Sequence, residues 1–229
     1  MLALRLLEFS NRMSPARHPF PVLRWCVLLW MLVWFPAYFH YWGWANLLHL
    51  CDVAVILSFL GIWFGNSLLL SSQAVGSLVP GIFWVADVGA RLITGHFLVG
   101  GTEYMWDGRY PLWLRLLSTF HVVLPVLLLY ALRKVGYDPR GFWLQSGIAI
   151  FLLIFSRFLS ADMNMNYVYR DPVWHHTWAP APLHIAITLG AIVLLIYFPT
   201  HVLLHRTYRR ICIVTAKSPS DSRAGAMTV

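Results

Sequence analysis

Charge is what this sequence has least of. Of 229 residues, only 11% are Asp, Glu, Lys or Arg, against roughly 25% in an ordinary soluble domain. Acidic residues are the scarcer sign, nine against seventeen basic ones, which leaves a formal charge of +8. A disordered chain needs high charge and low hydrophobicity, so that class is excluded. Cysteine is also scarce. Cys26, Cys51 and Cys212 form no C-x-x-C pair, so neither a disulfide framework nor a zinc site is indicated. H-E-x-x-H is absent, and the adjacent His175 and His176 do not have a spacing that faces one ion. No metal or other cofactor is expected. Hydrocarbon is what the chain has in excess: 59% of residues are hydrophobic and the mean hydropathy is +0.65. The basic surplus then reads as charge in loops flanking membrane helices, not as a surface for nucleic acid.

A helix needs about 20 apolar residues to span a bilayer. Six runs approach that length: residues 22–40, 46–65, 74–99, 112–132, 142–160 and 183–204. The third is interrupted by Asp87, Arg91 and His96. The expectation is an all-α, polytopic membrane helix bundle of about six transmembrane helices. It divides into an N-terminal tail (1–21), one transmembrane domain (22–205) and a basic tail (206–229), whose polar end from Lys217 onward reads as disordered. The first run is followed by Tyr41-Trp42-Gly43-Trp44, not by a small-residue cleavage site, so it reads as a retained helix and not as a signal peptide. Most basic residues fall on one side: Arg5, Arg12, Arg17 and Arg24; Arg133, Lys134 and Arg140; Arg206, Arg209, Arg210, Lys217 and Arg223. Both termini are therefore expected in the cytoplasm, with residues 66–73 as a loop on the same side, and the protein is expected in the plasma membrane.

Ionisable groups inside a membrane helix are costly and point to function. His49, Cys51 and Asp52 open the second run. Arg91 and His96 lie in the outer half of the third, His121 about ten residues into the fourth, and Arg157 near the end of the fifth. Asp162, Asn164, Asn166 and Tyr167 follow, and His184 begins the sixth. The polar groups thus gather at one depth, as a pocket opening outward, while the inner half reads as nearly pure hydrocarbon. Asp87 and Arg91, four apart, are placed to form a structural ion pair. His49 and Cys51 are about 200° apart around a helix, so a base for Cys51 has to come from another helix. His121 is the best match by depth, with His96 and His184 as rivals.

Three stretches resemble known families. Leu48-His49-Leu50-Cys51-Asp52 looks like the H-L-C-D signature of the YwaF-type integral membrane proteins, and Asn164-Met165-Asn166-Tyr167 resembles their N-x-N-Y motif. Phe120-His121-Val122-Val123-Leu124-Pro125 resembles the H-x-V-x-L-P segment of the androgen-induced and androgen-dependent membrane hydrolases, distant relatives of the same group. The resemblance implies lipid acyl chemistry by an intramembrane nucleophile and base, hydrolysing an acyl ester or passing the acyl chain to another lipid. Carried over by position, Cys51 takes the nucleophile's place and His121 the base's. The hydrolases have Thr where this chain has Cys, which leaves water and a lipid alcohol both open as acceptors.

The site expected from sequence is therefore Cys51 and His121 as catalytic pair, supported by His49, Asp52, Arg91, Arg157, Asn164, Asn166 and His184. The partners expected are membrane lipids, including an acyl-lipid substrate. Two alternatives stand beside it. One is a membrane protein that binds a lipid or small ligand without chemistry. The other is a transporter or assembly partner, which requires a polar path through to the cytoplasmic side.

Overall fold

The computed structural model describes residues 18–178 and 180–217, with side chains to residue 208. All regular structure among them is helical. The helices are α1 (Leu23–Trp42), α2 (Leu50–Phe64), α3 (Ser67–Thr94), α4 (Leu112–Leu117), α5 (Phe120–Val135), α6 (Gly141–Ser156), α7 (Ala181–Ala191) and α8 (Phe198–Lys217). A π-helical segment, Ile192–Tyr197, joins α7 to α8. Four stretches are long and apolar enough to cross a membrane: Leu23–Trp42, Ser67–Thr94, Leu112–Val135 and Ala181–Tyr208. α2 and α6 are shorter apolar helices of 15 and 16 residues. Large apolar side chains point outward along the bundle, among them Leu29, Leu32, Ile93, Val126, Phe151 and Leu195. In water such a surface would aggregate; in a bilayer it meets hydrocarbon, while the helices satisfy their own backbone hydrogen bonds. The chain is thus built as an integral membrane protein. The tails at 1–17 and 218–229 lie outside the described residues.

α3 is the central helix, packed against α2, α5, α6 and α8. It begins earlier than its hydropathy suggests. Residues 66–73, expected as a loop, contain only the N-cap outside the helix: the Asn66 side chain accepts from the Leu69 amide at 3.0 Å, which replaces a missing helical partner. The turn itself is Gly65-Asn66. Gly65 takes φ 65 in the left-handed region, where glycine pays no Cβ penalty, and the Asn66 amide closes on the Gly61 carbonyl at 2.8 Å. The stretch Ser71-Ser72-Gln73 looked like loop because it is polar, yet all three residues are fully buried inside the bundle.

Close helix approach rests on small residues, as membrane packing requires. A Cβ at Gly81 of α3 would lie 2.7 Å from the His121 carbonyl oxygen and 2.6 Å from Pro125 of α5. Pro125 has no N–H to offer that carbonyl, so the glycine approaches at a point where α5 has lost a helical hydrogen bond. The run expected over 112–132 is split at Ser118 and Thr119, which separates α4 from α5 and turns Ser118 into the interior. Residues 95–111 and 157–180 form the long connections and share one end of the bundle, here the loop end.

Candidate functional site: a polar cluster beneath the loop end

α2 starts later than expected. Residues Trp44–Leu48 form a 3₁₀ turn, and His49 is the non-helical residue just before α2. Cys51 and Asp52 therefore sit in the first turn, and Asp52 is buried. Its carboxylate accepts from the Asn46 side-chain amide at 2.8 Å. The Cys51 thiol has one polar contact, the other Asp52 oxygen at 3.9 Å.

His121 opens α5. Its Nδ1 lies 2.9 Å from the Ser118 carbonyl. A carbonyl only accepts, so Nδ1 carries the proton and Nε2 is left as a lone-pair acceptor. The ring is clamped flat between Phe120, at 4.1 Å between centroids, and Trp84, at 5.1 Å and 4° from parallel. The Trp84 indole N–H donates to the Tyr104 hydroxyl at 2.9 Å, and the hydroxyls of Tyr38 and Ser118 are 2.6 Å apart. Direct contacts thus join Tyr38, Ser118 and His121, and through the ring stack Trp84 and Tyr104, into one polar cluster whose Tyr104 and His121 are half-buried. Cys51 is half-buried and packs against the core that includes Tyr38 and Phe120. Cys51 and His121 make no hydrogen bond to each other.

The remaining sequence-predicted residues lie around the cluster and hold the loop end together. Asn166 is buried, with φ 53. It accepts from the Leu50 amide at 2.9 Å and donates to the Leu48 carbonyl and the Ser156 hydroxyl, each at 2.9 Å. It clips the 157–180 connection onto the start of α2, directly beside Cys51. Asn164 organises its own loop, accepting from the amides of Tyr169 and Arg170 and donating to the Arg170 carbonyl. His184, 1% exposed, accepts from the Trp178 amide at Nδ1 and faces the Tyr167 carbonyl with Nε2 at 2.9 Å. Both its nitrogens are committed, so it pins a loop and has no lone pair free for a thiol. Arg157 lies over the Tyr169 ring at 3.8 Å.

The expected Asp87–Arg91 ion pair does not form. Asp87 accepts instead from the amides of Leu98, Val99 and Gly100 and from the Thr102 hydroxyl, capping the loop after α3. Four donors satisfy a carboxylate more fully than one guanidinium can in that position. Arg91 turns away and lies over Phe97 at 4.9 Å and Trp106 at 6.0 Å. Among the described residues the ion pairs are both in loops: Arg109–Asp107 at 2.6 Å and Arg140–Asp138 at 2.7 Å. Each arginine holds its neighbouring carboxyl below the usual range by hydrogen bonding. Burial pushes the Asp171 carboxyl up, but the amides of Trp174, His176 and Val173 outweigh it and hold the group below that range.

The expectation of a hydrocarbon inner half also fails. Ser58, Ser71, Ser72, Gln73, Ser77, Gln145, Ser146 and Thr200 are buried between the cluster and the far end of the bundle. They are uncharged, so a search for ionisable groups passes over them. Sequence reasoning likewise missed Tyr38, Asn46, Trp84, Tyr104 and Ser118. Tyr104 looks like one more interfacial aromatic, and only the polar break at Ser118-Thr119 inside an apolar run signals that something besides hydrocarbon is needed there. No family model, no curated protein and no solved structure matches this chain.

Proposed function

We propose that this membrane protein acts on acyl lipids, with Cys51 as the acyl acceptor and His121 as its base. The observation that carries the reading is the state of His121: Nδ1 is tied to the Ser118 carbonyl at 2.9 Å and the ring is clamped between Phe120 and Trp84. That arrangement prepares Nε2 to accept a proton inside a polar cluster. The likeness of the Leu48–Asp52 and Phe120–Pro125 segments to the YwaF-type and androgen-regulated membrane proteins points the same way. Catalytic hydrogen bonds in ligand-free structures are often long and close only around substrate, so the missing Cys51–His121 contact is compatible with the reading.

In the proposed reaction His121 takes the thiol proton and Cys51 Sγ attacks the ester carbonyl of a lipid. The Sγ–C bond forms, the ester C–O bond breaks, and the leaving alcohol takes the proton back from His121. Water or a second lipid alcohol then attacks the thioester, His121 accepts its proton, and the thiol is regenerated. In this reading the hydroxyls of Tyr38, Tyr104 and Ser118 supply the donors for the developing oxyanion. With both termini cytoplasmic, the loop end faces outward and the site draws lipid from the outer leaflet.

The test is to reconstitute the protein in vesicles of phospholipid with isotopically labelled acyl chains and look for a hydroxylamine-sensitive acyl adduct on Cys51. The reading expects the adduct in wild type, its loss in Cys51→Ser and its strong reduction in His121→Ala. No adduct in any variant would overturn it. A second reading, a lipid- or small-ligand-binding protein without chemistry, is favoured by one observation: the thiol's polar neighbour is the Asp52 carboxyl at 3.9 Å and not an imidazole.

A further inference from the structure

Among the described residues, the buried polar atoms without a hydrogen-bond partner include four on α2, α3 and α6: Ser58 Oγ, Gln73 Oε1, Ser77 Oγ and Gln145 Oε1. Their residues are 2%, 0%, 9% and 1% exposed. Each glutamine makes one side-chain hydrogen bond, from Gln73 Nε2 to Ser72 Oγ at 2.8 Å and from Gln145 Nε2 to the Tyr197 hydroxyl at 3.2 Å. A carboxamide has both donors and an acceptor. Whichever way either amide is turned, part of it stays unpartnered. Other buried hydroxyls nearby are satisfied by their own helix, Ser146 on the Phe142 carbonyl and Thr200 on the Ile196 carbonyl. Ser58 and Ser77 make no such bond.

These atoms belong together. The hairpin of α2 and α3 is set by Gly61 against Leu70, where a Cβ would lie 2.9 Å from the leucine Cγ. Counting back along α2 and forward along α3 from that contact brings Ser58 opposite Gln73 and Ala54 opposite Ser77. Gln145 of α6 lies against Gly76, which any side chain there would displace. Pro80, four residues on, has no N–H for the Gly76 carbonyl. Tyr197 is the last residue of the π-helical segment, a backbone distortion frequent at functional sites.

We propose that these groups form a second site, which binds a cluster of buried water molecules. The set contains hydroxyl donors and amide acceptors and no charge, and that mixture matches water, which offers both. A buried polar group left unpaired is costly, and lipid offers no substitute partner. By the rise of an α-helix, Ser58 lies about 9 Å along α2 from Asp52. The hydrated site therefore continues the polar interior from Asp52 past the middle of α3. It is independent of the acyl chemistry proposed above and does not require it.

The test uses the full chain in lipid bilayers and measures magnetisation transfer from water to the side-chain amides of Gln73 and Gln145 by solid-state NMR. Transfer to both is expected, and Gln145→Leu should weaken the transfer to Gln73 at least severalfold. As a measurement that does not depend on that variant folding well, Gln73→Met should lower the thermal midpoint, because it strips a hydrated site of its anchor. Absence of transfer in wild type, or a raised midpoint in Gln73→Met, would mean an empty, unsatisfied core and would overturn the proposal. A shift of either amide on exchanging K⁺ for Na⁺ would also overturn it, in favour of a bound cation.

Discussion

At the scale of single residues, the side chains that organise the loop end are those with every polar atom engaged. Asn166 makes three hydrogen bonds from a left-handed backbone position, a conformation asparagine tolerates better than most residues. Asn166→Ala should therefore cost about 2–4 kcal/mol, from the buried groups it leaves unpaired and the backbone it strains, and chemical denaturation in detergent checks this. Asp171 gives a pH dependence. Its carboxyl is held below its ordinary range by three amides, so the folded state binds this proton more weakly than the unfolded chain. The stabilisation is fully present above the ordinary carboxylate range near pH 4 and is lost as pH falls through the lowered value. Amide hydrogen exchange over residues 171–178 should accelerate in Asp171→Asn at neutral pH, and the difference from wild type should shrink below about pH 4.

At the scale of elements, α3 decides the architecture and was also the element least legible in the sequence. Its second half, with Asp87 and Arg91, drew attention because charges are rare in membranes. Its first turns, Ser67 to Gln73, carry serine and glutamine where a spanning helix usually carries leucine, and hydropathy alone reads them as loop. Their burial depends on α2, α6 and α8 closing around them, a tertiary fact no local window contains. The pairing of Asp87 failed for a related reason: helical spacing allowed Arg91, but the loop at 98–102 folded back with four better-placed donors. The α3–α5 contact supplies a test of the element itself. Gly81→Ala would push a Cβ into the His121 carbonyl and Pro125. It should destabilise by about 1–3 kcal/mol, while Gly89→Ala, with nothing near its Cβ, should be neutral or slightly stabilising. Thermal midpoints of the two variants in the same detergent make the comparison.

At the scale of the whole molecule, the class was legible from composition: few charges, long apolar runs and a basic surplus led to a membrane helix bundle, and the described residues are all-helical in their regular structure, with an apolar exterior. Of the candidate site, the depth argument singled out Cys51, Asp52 and His121, and the structure gives them separate partners, Asn46 for Asp52 and the Ser118 carbonyl for His121. Depth could not find Tyr38, Trp84 and Tyr104, because aromatic residues near a membrane surface are common for other reasons, and only packing shows that these three turn inward. Asn164 and Asn166 in the loop and His184 in the first turn of α7 were recognised from their chemistry, and the structure gives that chemistry a different use, as pins that hold the connections at the loop end.

The most direct test of the central claim, that His121 activates Cys51 inside the bundle, is covalent labelling with a lipid-like electrophile. The detergent-purified protein would be compared as wild type, Cys51→Ala and His121→Ala, with adducts located by mass spectrometry. The account predicts rapid modification of Cys51, well ahead of Cys26, which is exposed on the bundle surface, and a loss of at least tenfold in rate in His121→Ala. Labelling of Cys51 no faster than that of Cys26, or unchanged without His121, would contradict it and leave the cluster as a binding site alone.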